Sequence, residues 1–123
     1  MELKIELEKV LKEMKKIEGV RGGIIARNDG LLIASYLPSE MNSKLLAALA
    51  AAIAKSSFIS TKEMGMGSFT HAIVKATNGY YVCFPVDNEM ILACLLEKDA
   101  NLGLVLVKME ASIKEIVRIL RSV

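Results

Sequence analysis

The chain has 123 residues, a length typical of one domain, and a formal net charge of +2 at pH 7. That weak and evenly spread charge, with no tryptophan and only 5% aromatic residues, excludes an electrostatic or base-stacking site for nucleic acid. Hydrophobic residues make up 53%, above the roughly 45–50% that is usual in globular domains. This surplus indicates either an interface between subunits or a sheet covered on both faces.

The first predicted element is a helix over about residues 2–18, because apolar residues recur there at intervals of three and four. They are Leu3, Leu7, Val10, Leu11, Met14 and Ile17. Gly19 follows them, at the position where a left-handed helix end favours glycine. Short apolar runs at 24–26 and 31–34 then flank Asn28-Asp29-Gly30, which predicts a β-hairpin.

The centre of the chain predicts a long helix, from about residue 40 to residue 62. Ser39 is one candidate for its N-cap, and Asn42 and Ser43 compete with it. The run 45–54 is apolar around the whole circumference of this helix, so we expect it to be buried on more than one side. Its alanines would also let another helix approach closely.

Three more strands are predicted after the flexible joint at 65–67. Strands at 68–76 and 80–84 flank Thr77-Asn78-Gly79, in which Asn-Gly is a hairpin signal, and a third strand covers 90–96. A last helix spans about residues 101–121, with Asp99 or Asn101 as its cap. Its apolar stripe comprises Leu102, Val105, Leu106, Met109, Ile113, Ile116, Val117 and Leu120.

The order α-β-β-α-β-β-β-α predicts an α+β sandwich, with a five-stranded, mostly antiparallel sheet in a single domain over residues 1–123. The strand at 68–76 is the candidate edge strand, and an exposed edge invites pairing with a second copy.

The cysteines and the N-terminus bear on the compartment. Cys83 and Cys94 form no disulfide framework and have no zinc-like spacing, so a reducing compartment is the simplest interpretation. They lie directly opposite if the turn between their strands has two residues, and on opposite faces if it has three. Early charges exclude a signal peptide, and an apolar run of 10 residues is too short for a membrane span of about 20. We expect a soluble, cytoplasmic protein.

No residue set predicts catalysis, a metal or a cofactor. His71 is the only histidine, and no second ligand or base accompanies it in the sequence. The segment 65–68 lacks the pattern of a phosphate loop. Arg27, Arg118 and Arg121 are weighed as an arginine finger against solvated or helix-capping roles, and nothing in their spacing requires the former. Met64 and Met66 are candidate interface residues, since methionine adapts to irregular surfaces.

In combination, three segments make the chain similar to the Roadblock/dynein light chain family over about residues 3–121. The first runs from Ile17 through Gly19-Val20 and one strand to Asp29-Gly30 and the next strand. The second is the alanine-rich central helix, and the third is Asn101-Leu102-Gly103 at the start of the last helix.

The resemblance implies a profilin-like arrangement, with the central helix on one face of the sheet and the terminal helices on the other. It also implies dimers that join two sheets edge to edge and pair their central helices. Family members bind Ras-like GTPases, as activators, exchange-factor components or scaffolds, or bind dynein intermediate chains, and prokaryotic relatives include a regulator of a gliding-motility GTPase.

The resulting hypothesis is a non-catalytic homodimeric module that regulates or scaffolds a Ras-like small GTPase. The predicted dimer interface comprises Leu45, Leu46, Leu49, Ala52, Ile53, Thr70, Ala72 and Val74. The alternatives are a small-molecule sensor of the PAS or GAF kind, which needs a closed apolar pocket, and a light-chain-type adaptor without a GTPase partner. The residues that contact the partner are not predicted.

Overall fold

The computed structural model describes residues 2–122, and its elements follow the predicted order. They are α1 (Glu2–Lys15), β1 (Val20–Arg27), β2 (Leu32–Tyr36), α2 (Ser43–Glu63), β3 (Ala72–Ala76), β4 (Gly79–Pro85), β5 (Met90–Glu97) and α3 (Leu102–Arg121). The strands form one sheet in the order β2-β1-β5-β4-β3, and every neighbouring pair is antiparallel. The chain passes from one edge of the sheet to the other through α2.

Two apolar layers hold the helices to the sheet, because successive strand residues point to opposite faces. On one face, Ile25, Val82 and Leu92 pack with the buried stripes of α1 and α3. On the other face, Ile24 and Ala93 pack with the inner alanines of α2. The predicted fold class and the predicted distribution of helices are therefore confirmed.

Asparagine side chains cap the two long helices. Asn42 Oδ1 accepts the backbone N–H of Leu45 at 3.0 Å, and Asn101 Oδ1 accepts that of Leu104 at 3.1 Å. Each cap satisfies one of the backbone donors that a helix start leaves free. Of the competing candidates, Asn42 and Asn101 are thus the residues used.

The first hairpin forms at the predicted turn. Arg27 N–H donates to the Leu31 carbonyl at 2.9 Å, and Gly30 adopts φ +93°, a conformation that favours glycine. A Cβ at Gly30 would also lie 3.3 Å from the Cα of Ala48. This turn therefore packs directly against α2.

The second hairpin differs from the prediction. Its turn residues are Thr77 and Asn78, and Gly79 begins β4, paired with Ala76. Gly79 is required for space rather than for a positive φ, since a Cβ there would lie 2.5 Å from the Leu96 carbonyl oxygen on the next strand.

Two predicted elements were longer than those in the structure. Helix α1 ends at Lys15 and not near residue 18, and Gly19 lies in the following turns with φ +90°, where a Cβ would lie 2.5 Å from Ala100 Cβ. Strand β3 begins at Ala72 and not at residue 68. Continuing its register would place Thr70 opposite Pro85, which has no N–H to donate.

The register of β4 and β5 decides between the two arrangements of the cysteines. Cys83 pairs with Ala93 and Cys94 with Val82, so the two thiols point to opposite faces of the sheet, as a three-residue turn predicts. Both cysteines are free and buried. Burial raises the pKa of Cys83 to about 11 and also raises the pKa of Cys94, so both stay protonated near neutral pH.

Candidate protein-interaction surface

The surface of α2 that faces away from the sheet is mainly apolar over about four turns, with Lys55 and Ser56 as its exposed polar residues between Leu45 and Ile59. We call this set of exposed residues the outer stripe; it comprises Leu45, Ala48, Leu49, Ala52 and Ile59. Leu45 is 54% exposed and Leu49 is 50% exposed, which is unusual for two leucines within one turn of each other. The only charged residue between Leu45 and Ile59 is Lys55, which lies two turns after Ala48 at the margin of the stripe.

The inner face of α2 consists of alanines, which hold the helix close to the sheet. Ala47, Ala50, Ala51 and Ala54 are buried there. The Cys83 Sγ lies 3.8 Å from the Ala50 carbonyl oxygen, and a Cβ at Gly30 in the hairpin turn would lie 3.9 Å from the Cβ of Ala51. With this face fixed by the sheet, the outer stripe must point outward.

The length and composition of α2 are also those of a helix that can cross a membrane. It has 21 residues with a mean hydropathy of 1.3 in its most apolar window, of which 22% is buried. The apolar run of 10 residues considered in the sequence is shorter than this window, because Phe58 and Ile59 add apolar residues beyond Lys55, Ser56 and Ser57. The low buried share reflects the unpartnered outer stripe.

Beside α2 lies the free edge of the sheet. Strand β3 is the last strand and pairs only with β4, so its outer backbone groups have no strand partner among the described residues. Val74 is 44% exposed, and its side chain shares the α2 face with Ala72, since both alternate with Ile73 on the other face. An unpaired edge of this kind is a template for pairing with another strand.

Four of the eight predicted interface residues, Leu45, Leu49, Ala52 and Val74, are exposed on the outer stripe or on β3. Leu45, Leu49 and Ala52 belong to the outer stripe. Leu46 and Ile53 are half-buried against the α2-side core, and Ala72 also packs there. Thr70 is exposed but lies before β3, where its hydroxyl is 3.2 Å from His71 Nδ1.

Other exposed apolar residues extend this surface beyond the predicted set. Ile59 continues the outer stripe, whereas Ile73 of β3 is exposed on the opposite face of the sheet. Met64, which the sequence did flag, is 74% exposed just after α2 ends. Ile59 could have been found by continuing the intervals of three and four beyond the alanine run.

One buried polar atom lies near the junction between α2 and the free edge. The Tyr81 hydroxyl is shielded from solvent and makes no hydrogen bond within the described part of the chain. Its residue pairs with Val74 of β3 and packs against the α2-side core. Burial and the neighbouring Cys83 thiol raise the pKa of Tyr81, so its hydroxyl stays neutral.

His71, Arg27 and Arg118, which were considered for catalysis in the sequence, contact neighbouring side chains of this chain. His71 stacks on Phe84, with ring centroids 4.9 Å apart. Arg27 pairs with Asp29, and Arg118 donates to Glu115 at 3.0 Å. Within residues 2–122, no group of three or more histidine, cysteine or acidic side chains is arranged to hold a metal ion.

The chain is similar to known proteins over most of its length. Residues 6–96 match the family model for the Roadblock/LC7 domain. The protein MJ1340 of Methanocaldococcus jannaschii is 31% identical over 110 residues, which are 89% of this chain and 96% of that one.

Solved structures share the fold at low identity. A Roadblock/LC7 domain from Streptomyces avermitilis has a TM-score of 0.88 at 15% identity, over 94% of this chain and 98% of that one. Myxococcus xanthus MglB has a TM-score of 0.88 at 18% identity, covering 96% and 90% of the two chains. A further MglB structure, described as having a tetrameric arrangement, has a TM-score of 0.86 at 19% identity over 95% and 89%.

Proposed function

This chain belongs to the Roadblock/LC7 domain family, and we propose that it is a non-catalytic, homodimeric binding module that regulates or scaffolds a Ras-like small GTPase. The observation that carries the dimer is the outer stripe of α2 beside the unpaired strand β3. The GTPase follows from the family that the sequence resembles. The two parts therefore need separate tests.

A second copy suits this surface because both of its parts are self-complementary. The outer stripe is apolar and includes the small residues Ala48 and Ala52, so two such helices can pack closely about a twofold axis. The edge of β3 offers unpaired backbone groups to an identical antiparallel strand. Lys75 is the only charged residue of β3. The described tetrameric arrangement of an MglB structure supports self-association in this fold.

The test of the dimer is the mass in solution. Light scattering after size exclusion is expected to give twice the 13.4 kDa of one chain over a range of concentrations. A stable monomer at the highest concentration would contradict the proposal. In that case the exposed leucines would need another explanation.

The GTPase requires a binding experiment. A Ras-like GTPase from the same organism, loaded with GDP or with a non-hydrolysable GTP analogue, is titrated against the purified protein by calorimetry. We expect binding that differs between the two nucleotide states, since only a differential affinity makes a regulator. Hydrolysis and nucleotide-release rates then separate activation from exchange and from scaffolding. Equal binding to the two states would leave a scaffold, and absent binding to all Ras-like GTPases of that organism would leave the light-chain-type adaptor.

The cavities of the described chain do not favour a small-molecule sensor. One cavity of about 530 Å³ is a groove between α1 and α3 that is lined in part by charged residues including Glu6, Lys9 and Lys108. A PAS or GAF sensor needs an enclosed, mainly apolar pocket. We also propose that the protein acts in the cytoplasm, where its two free, buried thiols would stay reduced.

A further inference from the structure

The sheet has a second free edge, on the side away from the proposed dimer. Strand β2 pairs only with β1 and is the last strand at the opposite end from β3. Pairing of β3 with a second copy would therefore leave β2 open. Its sequence, Leu-Ile-Ala-Ser-Tyr, carries no charge.

Two lysines flank this edge, one from each face of the sheet. A cavity of about 420 Å³ runs along the edge and is lined by residues 30–35 together with Lys4 and Lys44. Lys4 belongs to α1 and Lys44 to the first turn of α2, so the two ammonium groups approach β2 from opposite faces. Both lysines are exposed and neither forms a salt bridge among the described residues.

Among the described residues, no acidic side chain lines this cavity. Asp29, the acidic residue nearest to β2 along the preceding turn, is held by Arg27 and by the backbone N–H of Leu31 at 3.2 Å. Leu31 itself is 52% exposed beside the cavity. The edge therefore combines free backbone groups, exposed apolar surface and two positive charges.

We propose that the β2 edge is a docking site for an extended acidic segment of a partner protein, which adds as a sixth strand with its carboxylates beside Lys4 and Lys44. Backbone hydrogen bonds to a free edge give such complexes affinity, and flanking charges select the segment. Five residues of β2 are about 17 Å long, which is enough for a short segment. This site lies at the opposite edge of the sheet from the strand that pairs in the proposed dimer.

The test uses the intact protein and a capped, fluorescent peptide of about eight alternating valine and threonine residues with glutamates at both ends. Binding is followed by anisotropy, and the site is located by amide chemical shifts. We expect saturable binding, with the largest shifts at residues 31–36. A peptide with lysines in place of the glutamates is the matched control and should not bind.

Charge reversal checks the role of the lysines. The double variant Lys4→Glu, Lys44→Glu should weaken binding about tenfold or more, because both favourable pairs become repulsive. Reversal of Lys98 and Lys114, which are exposed elsewhere, should leave it unchanged. The proposal is overturned if neither peptide binds, which would mean that the lysines only block the edge, or if the shifts centre on residues 72–76.

The Leu49→Asp variant separates this site from the dimer. If β2 is the docking edge, a folded monomeric Leu49→Asp protein still binds the acidic peptide with unchanged affinity. Loss of binding in that folded variant would assign the peptide to a surface made by two copies and would overturn the proposal. Retained binding by a protein that was never dimeric would refute only the dimer.

Discussion

Replacement of Leu49 by aspartate is the sharpest test of the outer stripe. Leu49 is 50% exposed in one chain, so about half of the roughly 1.5–3 kcal/mol available from burying a leucine remains to be gained in a dimer. Over two copies this amounts to about 2 kcal/mol. Two like-charged carboxylates in the same apolar interface would cost about 2 kcal/mol more. A total near 4 kcal/mol weakens the dimer about 1,000-fold.

The assay is light scattering over a dilution series, together with circular dichroism. We expect a monomer with an unchanged helix and strand spectrum, because position 49 points away from the sheet. Val107→Asp is the matched control, since Val107 is 65% exposed on α3 on the opposite face, and it should remain dimeric. If Leu49→Asp stays dimeric at concentrations where the parent dimer is half dissociated, the outer stripe does not form the interface.

Three further changes test the fold around this surface. Gly19→Ala should lower the free energy of unfolding by about 3 kcal/mol, because it combines a positive φ with a clash at Ala100. Gly65→Ala, with φ +66° and nothing within 4 Å of the added Cβ, should lower it by only about 1–2 kcal/mol. Equal values for the two variants in urea titrations would contradict the clash at Ala100. Asn101→Ala should cost about 1 kcal/mol through the lost cap of α3, and Asn101→Asp should preserve stability in the same assay. Cys83 and Cys94 should resist iodoacetamide at pH 8 and react only after unfolding. Burial blocks access to both thiols and raises both pKa values, that of Cys83 to about 11, so both stay protonated at this pH. Rapid labelling of the native protein, followed by mass spectrometry, would contradict this.

The elements of this fold were predictable because its periodicities are strong. The stripe of α1, with Leu7, Leu11 and Met14 buried, repeats at three and four residues. The Asn28-Asp29-Gly30 turn is chemically specific, since glycine supplies the positive φ. Both patterns depend only on residues that are close together in the sequence.

The wrong boundaries depend on distant residues. Gly79 was interpreted as a turn glycine, yet it is needed because the Leu96 carbonyl of another strand lies where a Cβ would be. Gly19 likewise accommodates Ala100. The start of β3 is set by Pro85 of the neighbouring strand, through the register. Such constraints become visible only when the strand order is known.

The candidate surface was partly predictable for a related reason. An all-apolar circumference from residue 45 to residue 54 predicts that α2 needs covering on more than one side, but it does not say which residues face outward. Which face of α2 packs on the sheet depends on its alanines, because Ala47, Ala50 and Ala51 allow closer packing than leucine would. The residues left outside are then Leu45 and Leu49.

The two edges of the sheet differ in the chemistry that surrounds them, and this difference assigns them different partners. The outer stripe of α2 and the exposed side chain of Val74 on β3 lie on the same face of the sheet. A surface of that kind is best covered by its own copy, since two identical apolar faces need no charge complement. Beside β2 stand Lys4 and Lys44, and two copies that met there would bring four ammonium groups together. The same charges that oppose self-pairing at β2 favour an acidic strand from another protein, so one sheet can hold a second copy at one edge and a different partner at the other.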